Sequence, residues 1–221
     1  VVGDHTVVRV AWDGRRLRLD ERWGHRYRTR PGQSFGWDAV LDADSVWFLD
    51  DGEGTEGFAG SFRGVARAEV PLRLWRVPGA GGSPASVEVG GARGGIVANP
   101  PLVDPERRVV VGYDSSNAVI AAWRFGEAAD DLELLWRHDQ DQAGHMLLLP
   151  GVDGAGALVS YDHDAAAGEH VVVRDVESGE EWARAAIGSP MQSALFPAVG
   201  WDGEVYATTF TTLARVGVTS S

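Results

Sequence analysis

PPLVDPERRVVVGYD (100–114), LLLPGVDGAGALVSYD (147–162) and LFPAVGWDGEVYATTF (195–210) are three versions of one phrase. Each is an apolar run, then a polar turn, then a second run of small and β-branched residues. SFGWDAVLDADSVWFLDD (34–51) fits the same template. Valine and isoleucine at successive positions suit strands covered on both faces, and Asp, Gly and Pro between the runs supply turns. The phrase returns at roughly 45 to 60 residues, the size range of a four-stranded unit repeated around an axis.

The rest of the chain agrees with that rhythm. Short β-type runs lie at Thr6–Trp12, Leu17–Trp23, Ser45–Leu49, Leu72–Val77, Val109–Gly112, Val119–Trp123, Leu132–Trp136, Met146–Leu149, Ala157–Tyr161, His170–Arg174, Glu204–Thr209 and Leu213–Val218. Turn formers separate them, and no long stretch carries the i, i+3, i+4, i+7 pattern of a helix. A strand closing on tryptophan recurs in LDERW at Trp23, PLRLW at Trp75, LELLW at Trp136 and GEEW at Trp182. A large aromatic there fills the widening space between neighbouring sheets, so the 9 tryptophans read as packing.

The expected fold is all-β: a β-propeller of four-stranded antiparallel blades, about five blades or partial blades, in one domain over 1–221. Residues 1–28 read as the later strands of one blade, 32–78, 96–138 and 144–187 as fuller blades, and 191–218 as the first strands of another. The pieces at either end make either a small ring of about five blades that closes irregularly or an arc of a larger ring; the opening VVGDHTVVRV, which starts inside a strand pattern without methionine, favours the arc, lacking its N-terminal part. GAGGSPASVEVGGARGG (79–95) reads as a long inter-blade loop with a short strand at Ser86–Val89.

VVVRDVESGEEWARA (171–185) resembles the repeat of the PQQ-like, quinoprotein-type β-propellers: an apolar strand, then Asp175, an acidic turn to Gly179, and Trp182 closing the next strand. Asp114, Ala121, Ala122 and Trp136 give a looser echo. The resemblance implies a propeller and, as the last of three functional readings, a quinone-dependent oxidoreductase. No quinone-site residues carry over, and the neighbouring-cysteine pair of those enzymes has no counterpart in a chain without cysteine. PQQ is therefore not expected in this chain alone.

Composition narrows the chemistry. The 221 residues carry a net charge of -12 and a hydrophobic share of 44%, a globular balance. Such an acidic surface repels phosphate backbones and anionic lipid, and no apolar run approaches the roughly 20 residues of a membrane helix. Nucleic-acid partners and membrane insertion are not expected. The 20 basic residues are all arginine, which removes a Schiff-base or P-loop lysine. Without cysteine there is no thiolate nucleophile or ligand. The compartment stays open, with an extracytoplasmic one favoured.

WRHDQDQAGHMLLLP (136–150) holds the densest polar cluster. If Trp136 ends an outer strand and Met146 begins an inner one, residues 137–145 connect two blades at the channel mouth. His138, Asp139, Asp141 and His145, with His163 from YDHD (161–164), then form a candidate site for a divalent cation. His138 and His145 are the candidate acid/base residues. A solvated loop with aspartates capping turns is the plainer alternative. GQSFG (32–36) matches a nucleophile-elbow string at Ser34 but leads into a strand. Asp50, Asp51, Glu53 and Glu56 in DDGEGTEGF (50–58) lack the calcium-loop spacing. In RRLRLDERWGHRYRTR (15–30), Arg16, Arg18, Arg22, Arg26, Arg28 and Arg30 make either an anion site or a strip salt-bridged to neighbouring acidic blades. The first functional expectation is a binding or scaffold module presenting a loop face to a protein or small ligand. The alternative is a hydrolase or lyase with its His/Asp site at the channel mouth.

Overall fold

The computed structural model describes residues 1–36, 38–50, 58–65, 68–91, 93, 99–150, 155–193, 195–201 and 203–217. The described residues form strands and turns without a helix. A two-stranded sheet of β1 (Thr6–Trp12) and β2 (Leu17–Arg26) comes first. The second sheet runs β3 (Ala39–Leu41), β4 (Ser45–Leu49), β5 (Leu72–Pro78) and β6 (Ala85–Gly90). The third holds β7 (Leu102–Asp104), β8 (Val109–Asp114), β9 (Val119–Phe125) and β10 (Leu132–Asp139). The fourth holds β11 (Leu147–Pro150), β12 (Gly156–Asp164), β13 (Gly168–Asp175) and β14 (Glu181–Ala186). The last has three strands, β15 (Ala198–Val199), β16 (Val205–Thr208) and β17 (Leu213–Val216). All pairings are antiparallel between strands consecutive in sequence.

The middle strands explain the apolar phrases. Val109 to Asp114 is buried at every position, and so is Gly156 to Tyr161. Sheets stacked on both faces leave no polar side, and each fully buried valine contributes about 1.5 to 3 kcal/mol. One apolar cluster runs from Trp47 and Leu74 through Val110 and Ile120 to Leu158, joining the second, third and fourth sheets. A second joins the fourth sheet to the fifth through Val159, Val171 and Val205, and a third joins the first to the second through Val7, Trp23 and Phe48. Among the described residues none of these clusters links the first sheet to the fifth.

Three expectations shift. Trp75 lies on the third strand of its sheet, and the outer strand is β6, so that sheet extends to Gly90. Trp23 and Trp136 are buried on outer strands as expected, whereas Trp182 is exposed. β10 runs on to Asp139, where His138 pairs with Ile120, so the connection to the fourth sheet begins at Gln140. In each meander alternate turns fall at one end. Hydrogen bonds gather the β8–β9 turn, the β10–β11 and β14–β15 crossovers and residues 58–65 at one such end.

Candidate functional site

Buried amides of the crossovers build the floor of this end. Gln142 Oε1 accepts the Tyr161 backbone N–H at 2.6 Å. Gln192 Nε2 donates to the Asp141 carbonyl at 2.9 Å and to its Oδ1 at 2.7 Å, while its Oε1 accepts the Phe62 N–H. Gln140 ties the crossover to Ser160 and Arg174. The Asp141 N–H donates to Asp162 Oδ1 at 2.8 Å. Buried amides fit here because each satisfies a donor and an acceptor of irregular backbone without adding charge.

Charge enters at the β12–β13 hairpin. His163 and Glu169 face each other across the turn, with Nδ1 and Oε2 3.3 Å apart. Both side chains are buried, Glu169 completely. The pair is not well aligned for a hydrogen bond, and His163 Nδ1 and both Glu169 oxygens lack an aligned partner, although the Ser193 backbone stands beside Glu169. The Tyr161 hydroxyl is also buried without an aligned partner, although Ser193 and Thr208 stand beside it. Burial pushes the Glu169 carboxyl up to about 7, against the opposing pull of His163. Glu169 in turn raises the His163 imidazole above its usual range. Burial raises Asp141 too, opposed by Ser61 and Arg63. A buried carboxyl that titrates near neutrality beside an imidazole can both give and take a proton.

Residues 58–65, between β4 and β5, lie across this cluster as a strap. Ser61 Oγ donates to Asp141 Oδ2 at 2.7 Å, and Arg63 reaches Asp139 at 2.8 Å and Asp141 at 3.5 Å. Gln192 N donates to Gly60 O, and Gly64 N to Ser116 O. Phe62 is buried against Ala143, and Phe58 packs on Phe62 and Phe210. Gly60 and Gly64 sit at φ 107° and 79°, a region that favours glycine, so the chain bends on either side of Ser61–Arg63.

Of the residues singled out in sequence, the structure brings Asp141 and His163 to this cluster, with Asp139 at its rim. His138 points elsewhere: its Nε2 lies 3.0 Å from Gly179 O and its ring packs on Trp136. His145 stacks on Phe196 at 4.0 Å; its Nδ1 is buried without a partner, and burial lowers its pKa. His138 and His145, the acid/base candidates, therefore do not meet in this cluster, because β10 carries His138 away before the crossover starts. Among the described residues no three His, Asp or Glu side chains are grouped to hold a metal ion. Ser34 is buried in a loop before β3, not on a strand-to-helix elbow. Asp50 accepts hydrogen bonds from Arg73 N, Gln33 and Trp75, while Asp51, Glu53 and Glu56 lie outside the described residues. Arg18 pairs with Asp13 and Arg9 with Asp20, both within the first hairpin, while Arg30 reaches across to Asp50 and Arg9 also donates to Gly79 O beside the second sheet. Sequence reading passed over Glu169, Gln192 and Tyr161. The signal for Glu169 was present in DHDAAAGEH (162–170), where His163 and Glu169 flank an Ala-Ala-Ala-Gly turn in hairpin register.

A groove of about 500 Å³ runs between the first and second sheets, lined by Val2, Val10, Trp23, Ala39 and Val46 with Asp38 and Asp44 at its rim. It shares no residue with the His163–Glu169 cluster, where the unusual chemistry lies.

No protein-family model matches the chain, and no curated protein matches it in sequence. Its fold is similar to that of a luciferin-regenerating enzyme, a β-propeller, with a TM-score of 0.55 and 12% identity over 94% of this chain and 64% of that one. A Bifidobacterium bifidum protein assigned as an exo-beta-1,3-galactanase aligns at a TM-score of 0.38 and 13% identity, covering 81% of this chain and 62% of that one. This chain therefore spans less than two thirds of the length of either protein. At such identities the first likeness concerns the fold alone: stacked antiparallel sheets arranged as in a β-propeller.

Proposed function

We propose that the chain is an acid/base enzyme of hydrolase or lyase type, built on an arc of a β-propeller. Glu169 and His163 exchange protons with a substrate admitted when the 58–65 strap lifts. One observation carries this reading: an imidazole and a carboxyl lie 3.3 Å apart, both buried, with no aligned hydrogen bond to His163 Nδ1 or to either Glu169 oxygen, although the Ser193 backbone stands beside the carboxyl. A purely structural pair at that depth is expected to be fully hydrogen-bonded, because an unsatisfied buried polar group costs about 1 to 3 kcal/mol. The carboxyl near pH 7 is the proton-transfer group, His163 sets its charge, and Asp141 holds the strap. The arc is supported by apolar side chains left exposed on both end sheets, Trp12 and Leu17 on the first and Val199 and Leu213 on the fifth. As a separate proposal, the Asp175–Trp182 turn is a degenerate PQQ-like repeat; Asp175 capping Glu177 and Ser178, with Gly179 at φ 74°, supports it.

The test is turnover of a chromogenic panel of esters, lactones, phosphates and glycosides by the parent, Glu169→Gln and His163→Asn. The expected result is activity on one class that falls 10²-fold or more in both variants while their circular dichroism stays that of the parent. Equal rates in parent and variants would sink the reading. The binding-module reading rests on other residues, Trp201 exposed in the β15–β16 turn of the fifth sheet, with Phe196 and Phe210 exposed at its other end. It predicts that Trp201→Ser changes partner capture and leaves turnover alone.

A further inference from the structure

We infer that the groove between the first and second sheets is a binding site for an organic amine, a small cation with an apolar body. The inference is independent of the acid/base reading, because the groove shares no residue with the His163–Glu169 cluster.

The walls come from two sheets. Val8, Val10 and Trp23 of the first face Ala39, Leu41 and Val46 of the second. The volume of about 500 Å³ is that of a site for one small molecule. Such sites hold roughly 300 to 1,000 Å³ and set a few polar anchors in an apolar lining. The apolar wall also continues beyond the groove. Val10 pairs with Leu19 and Trp12 with Leu17, and residues paired directly or two apart along a strand share a face. Trp12, Leu17 and Leu19 are exposed, and so is Leu41 of the opposite wall, at 73%. Apolar side chains grouped in water at the mouth of a cavity mark a surface that a ligand covers.

Charge selects the ligand. Asp38, Asp42 and Asp44 stand at the groove. The fold itself uses Asp42, whose Oδ1 accepts the Asp44 and Ser45 N–H groups and whose Oδ2 accepts the Trp47 indole N–H. The carboxylates of Asp38 and Asp44 are exposed and take no hydrogen bond or ion pair among the described residues. The cations nearby are committed elsewhere. Arg9 grips Asp20 through Nε and Nη2, donates to Gly79 O and stands over the Trp23 ring. Arg76 feels the charges of Asp42 and Asp44 but donates to Ser45 Oγ and to the Gly126 and Ala128 carbonyls. His145 feels Asp38, yet burial holds its imidazole below the usual range. The Val1 nitrogen donates to Val8 O. An apolar interior thus opens on an acidic rim that the chain does not neutralise, in a protein of net charge -12. A hydrocarbon body fills the walls, an ammonium meets Asp38 and Asp44, and carboxylates and phosphates are repelled.

The probe is phenethylamine, with 2-phenylethanol as the neutral control and 3-phenylpropionate as the anionic one. Each is titrated into the full chain by calorimetry at low salt, to about 10 mM, which detects a millimolar Kd. The variants are the double change Asp38→Asn with Asp44→Asn, and Leu41→Lys, all at exposed positions, with circular dichroism to check the fold. The amine is expected to bind saturably, the alcohol at least about fivefold more weakly, and the acid not at all. The double variant is expected to lose about fivefold or more in amine affinity. Leu41→Lys brings an ammonium of the chain's own to the rim and is expected to weaken the amine further. No saturable binding of phenethylamine, equal binding of the alcohol, or an unchanged affinity in the double variant overturns the site. Amine binding that survives Leu41→Lys undiminished lies elsewhere on the acidic surface and overturns it as well.

Discussion

The third and fourth sheets are built alike and end differently. Both are four-stranded meanders whose second strand carries Tyr-Asp, Tyr113-Asp114 at the end of β8 in one and Tyr161-Asp162 in the other, where β12 runs on to Asp164. At the third sheet's tip the polar groups named here are occupied. The Tyr113 hydroxyl donates to the Asn99 and Ala143 carbonyls, Asp114 holds Asn117 through its backbone and side chain, and Ser115 donates to Gln142 O. The corresponding positions after Tyr161-Asp162 carry His163 in place of Ser115 and Glu169 in place of Ala118. There the tyrosine hydroxyl, the imidazole Nδ1 and the carboxylate oxygens lack partners. The repeat supplies a rigid, satisfied frame, and chemistry sits where one copy departs from it.

The strongest way to break this comparison is to give the fourth tip the residues of the third. The double variant His163→Ser with Glu169→Ala is expected to lose turnover by 10²-fold or more while folding normally. A double variant as active as the parent would mean that the difference between the tips is incidental.

Next in size is the pH response. The folded-state pKa of Glu169, about 7, lies above its ordinary value of 4.5, so the folded chain holds a proton that the unfolded chain releases between those values. Stability is therefore lost as pH rises through that window, by about 3 kcal/mol, and the raised imidazole of His163 acts in the same direction. Denaturant titrations of the parent from pH 4 to 8 should show the fall, and Glu169→Gln should flatten it. A parent that is equally stable across the window contradicts the burial assigned to Glu169.

The tyrosines sharpen the comparison at smaller scale. Tyr113→Phe removes the buried hydroxyl shared by the Asn99 and Ala143 carbonyls, of which Ala143 O keeps the Asn99 side-chain amide as donor, and is expected to cost about 1 to 3 kcal/mol. Tyr161→Phe removes a hydroxyl without an aligned partner and is expected to cost less than about 1 kcal/mol. Equal costs in chemical denaturation would erase the distinction. The smallest effect belongs to Asp139→Asn, whose exposed carboxylate pairs with the exposed side of Arg63 and whose loss should change stability by about 0 to 1 kcal/mol.

The sheets were legible because burial on two faces writes itself as consecutive valines: Val109–Val111 and Val171–Val173 announce middle strands without knowledge of their partners. β3, β7 and β15 are harder to see, since strands of two or three residues leave too little pattern. The site was half legible. Asp141 and His163 stood out by residue type, and Asp139 reached the rim. His138 was misplaced because the strand outlasts Trp136 by three residues, a matter of pairing with Val119–Ala121 that local sequence does not show. The strap could not be read at all. Its meaning lies in Ser61 meeting Asp141 and Phe62 meeting Gln192, contacts with no local signature.

Those contacts also order events in time. Ser61 and Asp141 are 80 positions apart, and Phe62 and Gln192 are 130 apart. Each sheet is a local meander that can form as soon as its own strands exist, whereas distant pairings must wait for their partners and close slowly. During synthesis the second sheet can be complete while Arg63 still lacks its aspartates. Asp139 and Asp141 are made before His163 and Glu169, so Arg63 and Ser61 can be engaged before the acid pair exists, and the last fastening, Phe62 on Gln192, comes only when the chain around Gln192 has been laid down beside it.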